Sequence, residues 1–308
     1  MQEEPLDLAE LKLPSPVSQI HTPLLKQNRL QLFIKRDELI HPVIQGNKWR
    51  KLKYNLLSAR NNQQNTLLSF GGAYSNHLHA LAAAGKYFNF KTIGIVRGEQ
   101  HTPPNPCIQD MLDWGMHLKY VSRAEYKNKT SDEFIKQLKQ AFGDFYLIPE
   151  GGNNREGIKG CAEILTELDE DYDFICSEVG SGTMFSSLII NNKKPLTKFI
   201  GFAVMKNPQL DTDILSKPGI SPDLNTVWEI NHQYHFGGFA KTTLELNEFI
   251  RDFKITHGIQ LEPVYSGKML YGILDLVKQG HFKPDSKILA IHGGGLQGLR
   301  GFPELLQD

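Results

Sequence analysis

The chain has 308 residues with 34 basic and 34 acidic side chains, so its formal net charge is zero. Hydrophobic residues make up 40% of it, which excludes the disordered class and supports a sizeable core in one large domain or two smaller ones. The zero net charge gives no reason to expect nucleic acid or an anionic membrane as a partner. No apolar run approaches the roughly 20 residues of a membrane span.

Targeting and redox signals in the sequence favour the cytoplasm. Residues 1–13 are acidic and lack the apolar core of a signal peptide. The three cysteines, Cys107, Cys161 and Cys176, are odd in number, far apart and without zinc-site spacing. We therefore expect reduced thiols in a cytoplasmic protein, with Cys176 in the core because it lies in an apolar run.

Short apolar runs rich in β-branched and aromatic residues alternate with helical patterns along the chain. The runs cover residues 67–70, 92–96, 174–176, 199–204 and 288–291. Such strands separated by helices predict parallel strands in βαβ units. Several of them lead into glycine-rich loops, the place where open α/β sheets bind ligands. Residues 208–236 are polar and irregular, and we expect an excursion over the surface there.

The first segment with chemical character runs from residue 45 to residue 51. From Trp49 onward, apolar residues recur at helical spacing: Trp49, Leu52, Leu56 and Ala59. They predict a helix from about Lys48 with Asn47 as its N-cap. Lys51 then shares a face with Lys48, and the positive end of the helix dipole favours the neutral amine that reacts with carbonyls. The alternative is a basic helix start on the surface.

The second segment, residues 69–77, is a strand, two glycines and a Ser75-Asn76 pair that opens an alanine-rich helix. Backbone N–H groups at such a helix start suit a carboxylate or a phosphate. The alternative is a capped helix with no ligand. His77 and His79 form a His-x-His pair, but no third ligand is evident nearby, so we expect no metal site.

The third segment follows another predicted strand. Its loop consists of Gly180, Ser181, Gly182 and Thr183. Glycines let the backbone close around a phosphate, and the two hydroxyls add donors. A dinucleotide fingerprint would need glycine in place of Phe185, and a P-loop would need lysine after Gly182. The loop therefore suits a single phosphate, with a purely structural turn as the alternative.

The fourth segment, residues 264–268, reads Val-Tyr-Ser-Gly-Lys. Its tyrosine and serine hydroxyls could supply an acid or base group and a hydrogen bond, but alone the segment is also typical of an ordinary turn.

The fifth segment is His292 followed by three glycines, directly after the last predicted strand. Three glycines imply close approach of the backbone to another group. His292 could cap the loop structurally or act in catalysis.

Taken together and in this order, the segments resemble the 1-aminocyclopropane-1-carboxylate (ACC) deaminase and D-cysteine desulfhydrase group of pyridoxal 5′-phosphate (PLP) enzymes. The resemblance runs from residues 35–37 to residues 292–294. The shared motifs are Gly-Asn-Lys-x-x-Lys, Gly-Gly-x-x-Ser-Asn, Pro-x-Gly-Gly at residues 149–152, the phosphate loop and Val-Tyr-x-Gly-Lys. The resemblance implies a two-domain α/β fold of tryptophan synthase β type (fold type II), with parallel or mixed sheets flanked by helices.

The resemblance also implies a division of the chain. A large PLP-binding domain would combine residues 1–51 with 156–308, and a small domain of residues 52–155 would close over the substrate carboxylate. A homodimer is the usual assembly in this group.

Residue roles follow from the resemblance alone. Lys48 would carry PLP as a Schiff base and move protons, and Tyr265 would act near the substrate as nucleophile or acid/base group. Ser75, Asn76 and the N–H of His77 would bind the substrate carboxylate. The other cofactor contacts would come from Lys51 and Gly180, Ser181, Gly182 and Thr183 at the phosphate, Asn76 at the ring oxygen and Ser266 at the ring nitrogen.

Three positions depart from the pattern of ACC deaminases. Those enzymes have glutamate where this chain has Ser266, and a protonated ring nitrogen paired with glutamate makes a strong electron sink. They have leucine, and desulfhydrases usually threonine, where this chain has Gly293, which would leave extra room. A second tyrosine of ACC deaminases aligns loosely with Phe239, which lacks the hydroxyl.

A neutral serine at the ring nitrogen is a weaker electron sink and suits loss of a good leaving group at the β-carbon. We therefore predict a β-eliminating lyase, similar to D-cysteine desulfhydrase, that converts a small amino acid into a 2-oxo acid and ammonia. The alternatives are ACC deaminase, which opens the ring to 2-oxobutanoate and ammonia, and, from another class, a nicotinamide-dependent oxidoreductase or a non-catalytic PLP-binding protein.

Overall fold

A computed structural model describes residues 11–217, 219–221 and 225–306. Its strands, in chain order, are β1 Val17–Ile20, β2 Gln31–Lys35, β3 Thr66–Gly72, β4 Lys91–Arg97, β5 His117–Val121, β6 Tyr146–Leu147, β7 Phe174–Val179, β8 Lys198–Ala203, β9 Val227–Asn231 and β10 Lys287–Ile291. The apolar runs that predict parallel strands correspond to β3, β4, β7, β8 and β10, so those predictions are confirmed.

The helices lie between the strands. They are α1 Pro23–Gln27, α2 Gly46–Asn61, α3 Asn76–Tyr87, α4 Pro106–Asp113, α5 Arg123–Lys127, α6 Asp132–Phe142, α7 Arg155–Thr166, α8 Thr183–Ile190, α9 Leu210–Leu215, α10 Leu244–His257 and α11 Ser266–Lys278. Several begin at a serine, threonine or asparagine whose side chain accepts an N–H of the first turn, as Ser131 does for α6 and Thr243 for α10. These caps explain why the helices begin where they do.

The chain divides into two compact units. The first unit comprises Leu11 and residues 48–160, and the second comprises residues 12–47 together with the chain from Cys161 onward. The expected domain boundaries, at residues 51/52 and 155/156, stay a prediction.

The first unit is built on a parallel sheet in the order β5-β4-β3-β6. β3 has neighbours on both sides and is buried along most of its length, which its nearly continuous apolar sequence requires. Phe70 and Ile95 belong to the cluster of buried side chains on this sheet. Because β3 ends at Gly72 and α3 begins at Asn76, a tight turn carries residues 73–75 past the carboxyl end of the strand.

The second unit is built on a mixed sheet in the order β1-β2-β10-β7-β8-β9, with β1 antiparallel to β2 and the other pairs parallel. Buried residues of β7, β8 and β10 contribute to two apolar clusters. Ile291 pairs with Ser177 of β7 and with Lys35 of β2. The segments that follow β7 and β10 therefore leave the same edge of the sheet side by side, as the carboxyl ends of parallel strands must.

The expectation for residues 208–236 is wrong in part. This stretch contains α9 and also β9, which forms the edge of the sheet beside β8. Two buried leucine and isoleucine side chains, Leu210 and Ile214, anchor α9 to the core despite its polar surroundings. Residues 218 and 222–224 of this stretch lie outside the described residues, as do residues 1–10.

The three cysteines are free and buried. Cys176 lies inside β7 and is completely buried, as expected of a core residue, and burial raises the pKa of its thiol. Among the helices of the described residues, none has the length and apolar character that crossing a membrane requires.

Candidate active site

The predicted site residues fall into two groups, one in each unit. Lys48, Lys51 and residues 75–77 belong to the first unit. The loop of residues 180–183, Tyr265 and Ser266 belong to the second.

The two lysines lie one turn apart in the first turns of α2. The helix begins at Gly46, so Asn47 lies inside it and the prediction that Asn47 is the N-cap is wrong. Lys51 is buried, and its carbonyl oxygen accepts a hydrogen bond of 2.7 Å from the amide of Asn55. A Cβ on Gly152, which has φ +66°, would lie 2.9 Å from the Cβ of Lys51. The last glycine of the Pro-x-Gly-Gly motif therefore allows the chain to pass directly against Lys51.

His77 is a buried, neutral imidazole in the first turn of α3. Its Nε2 atom lies 2.9 Å from the hydroxyl of Ser69, which in turn donates to the carbonyl of Ile148 at 2.8 Å. Because Ser69 has only one hydrogen to give, Nε2 must be the donor toward it, so Nδ1 carries the lone pair. Burial, with further contributions from the charges of Lys48 and Lys51, lowers the pKa of His77 to about 3. His77 and the two lysines thus lie close enough to interact electrostatically.

Ser75 caps α3. Its Oγ accepts a hydrogen bond of 3.2 Å from the N–H of Leu78, so its own hydrogen remains available to donate. A Cβ on Gly71 would lie 2.4 Å from this Oγ, and glycine is therefore required for the approach. The turn presents the hydroxyl of Ser75 at the start of a 12-residue helix, an arrangement that suits a carboxylate.

The other histidine of this segment has a different environment. His79 contacts Asp110 through Nε2 at 2.8 Å, and its ring packs edge-on against Trp114. The two histidines therefore bond to separate partners. Among the described residues there is no group of three or more metal-ligating side chains.

In the second unit, the loop of residues 180–183 leads from β7 into α8. Gly182 is the N-cap of α8 in the left-handed conformation, with φ +78°, and a Cβ there would lie 2.3 Å from Ile214 Cδ1. No side chain at the N-cap position covers the N–H groups of the first turn. The hydroxyls of Ser181 and Thr183 lie 3.2 Å apart beside them. Amides at a helix start together with two hydroxyls form a donor set for a phosphate.

Tyr265 and Ser266 lie in a turn, residues 262–267, that opens α11 and that we call the Tyr265 turn. A Cβ on Gly180 would lie 3.3 Å from Tyr265 Cε1, so the structure brings the tyrosine ring against the glycine loop. Ser266 is completely buried. Its Oγ lies 3.2 Å from the carboxylate of Glu262, which is also buried and accepts three backbone N–H groups of the turn.

Phe239 packs edge-on against Tyr265, with ring centroids 6.1 Å apart. The loop that carries it is held by the buried ammonium of Lys268, which donates to the carbonyls of His235 and Gly238 at 3.0 and 2.8 Å and to Val204 at 3.1 Å. Burial lowers the pKa of Lys268 to about 8, and the charge of Glu262 opposes that shift. Lys268 therefore links the Tyr265 turn to the loop that places Phe239 beside Tyr265.

Both ring nitrogens of His292 form hydrogen bonds with backbone groups. Its Nδ1 accepts the N–H of Gly294 at 3.2 Å, and its Nε2 lies 2.8 Å from the carbonyl of Gln260. The expectation that Gly293 leaves extra room is wrong, because a Cβ there would lie 2.1 Å from Oε1 of Glu178 and 2.6 Å from Nδ2 of Asn47. The side chain of Glu178 fills the space.

Comparison with known proteins identifies the class. The family model described as pyridoxal-phosphate dependent enzyme matches residues 17–294. The mitochondrial bifunctional D-cysteine desulfhydrase/ACC deaminase of Arabidopsis thaliana is 29% identical over 313 residues, which cover 93% of this chain and 77% of that protein. A Pyrococcus horikoshii protein, named provisionally as an ACC deaminase, is 30% identical over 285 residues, covering 87% and 85% of the two chains.

A solved structure shows the same relationship. The crystal structure of an ACC deaminase homologue superposes with a TM-score of 0.80 at 26% identity and covers 96% of this chain and 94% of that one. The chain therefore belongs to the family of pyridoxal-phosphate-dependent enzymes and, within it, to the group of ACC deaminases and D-cysteine desulfhydrases. The predicted family, fold class and PLP cofactor are confirmed, and the nicotinamide alternative is set aside.

The residues present fit this cofactor. The donor set at the start of α8 suits its phosphate, and α2 carries in its first turns a lysine, Lys48, whose side chain is of the kind that reacts with an aldehyde. Nδ1 of His77 is a buried acceptor without a hydrogen-bond partner among the described residues. A polar atom left in this way is typical of a site built to receive a ligand.

Three buried residues near the predicted site were missed by the motif analysis: Glu178, Glu262 and Lys268. Lys268 is the last residue of the Val-Tyr-x-Gly-Lys motif, so its presence there was a usable signal. Glu262 stands four residues before Ser266, and nothing in the linear sequence indicates that its carboxylate turns back onto the next helix. Glu178 directly precedes Val179 and reads as an ordinary polar residue in a strand.

Proposed function

We propose that this enzyme is a PLP-dependent lyase that eliminates the β-substituent of a small amino acid, such as D-cysteine, D-serine or another β-substituted alanine. The observation that carries the proposal is the hydroxyl of Ser266, rather than a carboxylate, at the start of α11. A hydroxyl partner makes the PLP ring a weaker electron sink than a direct carboxylate partner does. Loss of a good leaving group demands less of that sink than opening an unactivated cyclopropane ring.

We propose the following contacts for the cofactor. Lys48 bonds it covalently, and Asn76 binds its ring oxygen while Ser266 meets its ring nitrogen. Its phosphate is bound by Lys51 and by the backbone and hydroxyls of Gly180, Ser181, Gly182 and Thr183. The support for the phosphate contacts is the glycine at the N-cap of α8, which brings no capping side chain, together with the two hydroxyls 3.2 Å apart beside it.

The substrate carboxylate is bound by Ser75, Asn76 and the backbone N–H of His77. Ser75 supports this role because its Oγ accepts the N–H of Leu78, and that bond leaves the hydroxyl hydrogen free to donate to a carboxylate. A carboxylate also benefits from the positive end of the α3 dipole. The side chain of His77, neutral through its lowered pKa, adds no charge to the site.

Lys48 and Tyr265 transfer protons in the proposed reaction. Bound PLP withdraws electrons from the substrate α-carbon and so acidifies its hydrogen. Nζ of Lys48 accepts that proton, and the hydroxyl of Tyr265 protonates the departing β-substituent. The released enamine is hydrolysed to a 2-oxo acid and ammonia, which balances the atoms with one water.

Cofactor attachment is tested on the purified protein. We expect visible absorbance after PLP addition and, after borohydride reduction, a pyridoxyl group on the peptide that contains Lys48. Lys48→Ala should lose both signals, whereas the control Lys53→Ala, which removes another lysine of α2, should keep them. A wild-type protein that stays colourless with PLP and is not labelled by borohydride contradicts the proposed function.

The reaction is tested with separate substrates. Incubation with D-cysteine, D-serine and ACC, followed by assays for sulfide, pyruvate and 2-oxobutanoate, distinguishes elimination from ring opening. We expect sulfide or pyruvate from the first two and little 2-oxobutanoate from ACC. Rapid 2-oxobutanoate formation from ACC shows that the reasoning from Ser266 is wrong.

ACC deamination is the second candidate function. The observation that favours it is the naming of the relatives, since the Arabidopsis protein is named for both activities and the Pyrococcus protein for ACC deaminase alone. The same substrate assay decides between the two. Phe239, which lies against Tyr265, brings no hydroxyl to this position, and that difference favours elimination.

We also propose that the enzyme is a cytoplasmic homodimer. Three free, buried cysteines support a reducing compartment. Light scattering coupled to gel filtration measures the assembly, and a mass of one chain contradicts the dimer. Localisation of a tagged protein tests the compartment.

A further inference from the structure

The Tyr265 turn is organised by one buried carboxylate. Glu262 is only 1% exposed. Its Oε2 accepts the N–H of Val264 at 2.8 Å, and its Oε1 accepts the N–H groups of Tyr265 and Ser266 at 2.8 and 2.6 Å. Its carbonyl oxygen accepts the N–H of Gly267 at 2.9 Å. The residue thereby fixes the backbone that carries both Tyr265 and Ser266.

Glu262 also contacts the hydroxyl of Ser266 twice, through its backbone N–H and through its carboxylate. The backbone N–H of Glu262 donates to Ser266 Oγ at 3.1 Å, and Ser266 Oγ lies 3.2 Å from Oε1 of Glu262. A hydroxyl has one hydrogen and two lone pairs, whereas an ionised carboxylate can only accept. The hydrogen of Ser266 is therefore directed to Glu262, one lone pair is used by the backbone N–H, and one lone pair remains.

The geometry around Glu262 is that of an ionised carboxylate, because both of its oxygens accept backbone N–H groups. Burial is the largest influence on the pKa of Glu262 and raises it, and the three backbone N–H groups that donate to the carboxylate oppose that rise. The buried ammonium of Lys268 interacts with the same carboxylate. The carboxylate of Glu262 thus lies one hydroxyl away from the position that Ser266 presents.

We propose that Glu262 is a positioning residue that holds the hydrogen of Ser266, so that Ser266 Oγ accepts a hydrogen bond from a protonated ring nitrogen of PLP. This inference rests on the proposed function, because it requires Ser266 to meet the ring nitrogen. In this arrangement the ring nitrogen carries a proton. Its direct partner is the neutral oxygen of Ser266, which in turn donates its hydrogen to the carboxylate of Glu262. The electron sink is then intermediate between an unprotonated ring and one paired directly with glutamate.

The test compares PLP with 1-deaza-PLP, in which a C–H group replaces the ring nitrogen. Apoprotein is titrated with each compound, and the dissociation constants are measured by fluorescence quenching. Wild-type protein should bind PLP about tenfold more tightly than 1-deaza-PLP, because a hydrogen bond to a charged group is lost with the analogue. Glu262→Gln and Ser266→Ala should each remove most of this preference.

A double variant tests whether Glu262 acts through Ser266. In the Ser266→Ala background, Glu262→Gln should change the preference no further. The control is Ser177→Ala, which removes another completely buried hydroxyl of the same unit, one without a hydrogen-bond partner among the described residues. This control should keep the wild-type preference, and a merely structural effect of losing a buried group would appear in it as well.

A measurement on wild-type protein keeps the proposal testable if Glu262→Gln does not fold. PLP labelled with ¹⁵N at the ring should show the chemical shift of a protonated nitrogen at pH 7.5. An unprotonated ring nitrogen, or a wild-type preference retained by Glu262→Gln, overturns the inference and leaves the proposed function intact. Failure of wild-type protein to bind PLP at all instead contradicts the proposed function.

Discussion

Oε1 of Glu178 occupies the space into which a side chain on residue 293 would extend, since a Cβ on Gly293 would lie 2.1 Å from it. Both residues belong to the second unit: Glu178 lies near the carboxyl end of β7, and Gly293 follows the carboxyl end of the paired strand β10. Glu178 is 5% exposed, so the carboxylate cannot simply swing into solvent. The space beside residue 293 is therefore filled in this chain by a side chain from β7.

This relationship predicts an energetic coupling between the two positions. Gly293→Ala should lower the free energy of unfolding by about 1–3 kcal/mol because the added methyl overpacks the site. In the Glu178→Ala background the same substitution should cost less, since the carboxylate that it meets is gone. Urea denaturation of wild type, both single variants and the double variant measures the coupling, and strictly additive effects contradict the steric account.

Ser75→Ala should affect substrate binding beyond its effect on stability. Loss of an N-cap costs about 1 kcal/mol of stability, and loss of a hydrogen bond to a carboxylate should lower kcat/KM about tenfold or more. Ser131→Ala is the matched control, because Ser131 caps α6 of the same unit in the same way. Thermal unfolding should shift similarly in both variants. A similar loss of kcat/KM in Ser131→Ala would mean that only helix capping is being measured.

Tyr265→Phe should lower kcat about 100-fold, the usual contribution of a positioned acid or base, while the visible absorbance of bound PLP persists. Tyr271→Phe provides the control, because Tyr271 lies on the same helix and its hydroxyl bonds to Glu245 at the surface. Steady-state kinetics and absorbance spectra of both variants are compared. An unchanged rate for Tyr265→Phe removes that hydroxyl from the reaction.

His77 should make the folded protein less stable as the pH falls. Its pKa is about 3 in the folded protein, below the ordinary value of 6.5, because of burial and the charges of Lys48 and Lys51. Between these two values the unfolded chain binds the proton and the folded chain does not, so stability rises with pH through that window. Between pH 6 and pH 5 the loss should be about 1 kcal/mol.

The pH effect is isolated by comparison with His77→Gln. Urea unfolding at pH 7.5, 6 and 5 should show a steeper decline for the wild type than for this variant, which has no imidazole to protonate. Equal slopes for the two proteins contradict the assignment of a neutral, buried His77. The ¹⁵N shifts of the imidazole provide a direct check that Nε2 carries the hydrogen.

Local patterns were sufficient where neighbours in sequence decide the structure. The strand that becomes β3 is apolar along its length because both of its edges are paired, and that burial is visible in the sequence. Ser75 opens α3, as the Ser-Asn pair predicts, because capping depends on an N–H only three residues away. The glycine loop before α8 was also predicted, because its glycines directly follow one strand and precede one helix in the sequence.

Sequence patterns did not predict the local structure where it depends on contacts with segments distant in the chain. The stretch of residues 208–236 looked irregular, yet two side chains of α9, Leu210 and Ile214, pack into a core formed by other strands. The helix of Lys48 begins at Gly46 rather than after Asn47, and the amide of Asn47 lies 3.5 Å from Glu178 in the distant strand β7. The helix propensity of a residue does not depend on partners in distant strands, so it cannot predict these contacts.

The sequence by itself determined the family, the cofactor and the order of the motifs, because glycine loops, helix caps and lysine spacing are local and specific to their chemistry. Only the tertiary structure decided which charges are buried and which way their hydrogens point. Glu178 fills the space beside Gly293, and Glu262 turns back onto Ser266, through contacts that depend on how strands and turns come together. The energy of a carboxylate depends on its burial and its donors, and neither is written in the residue itself.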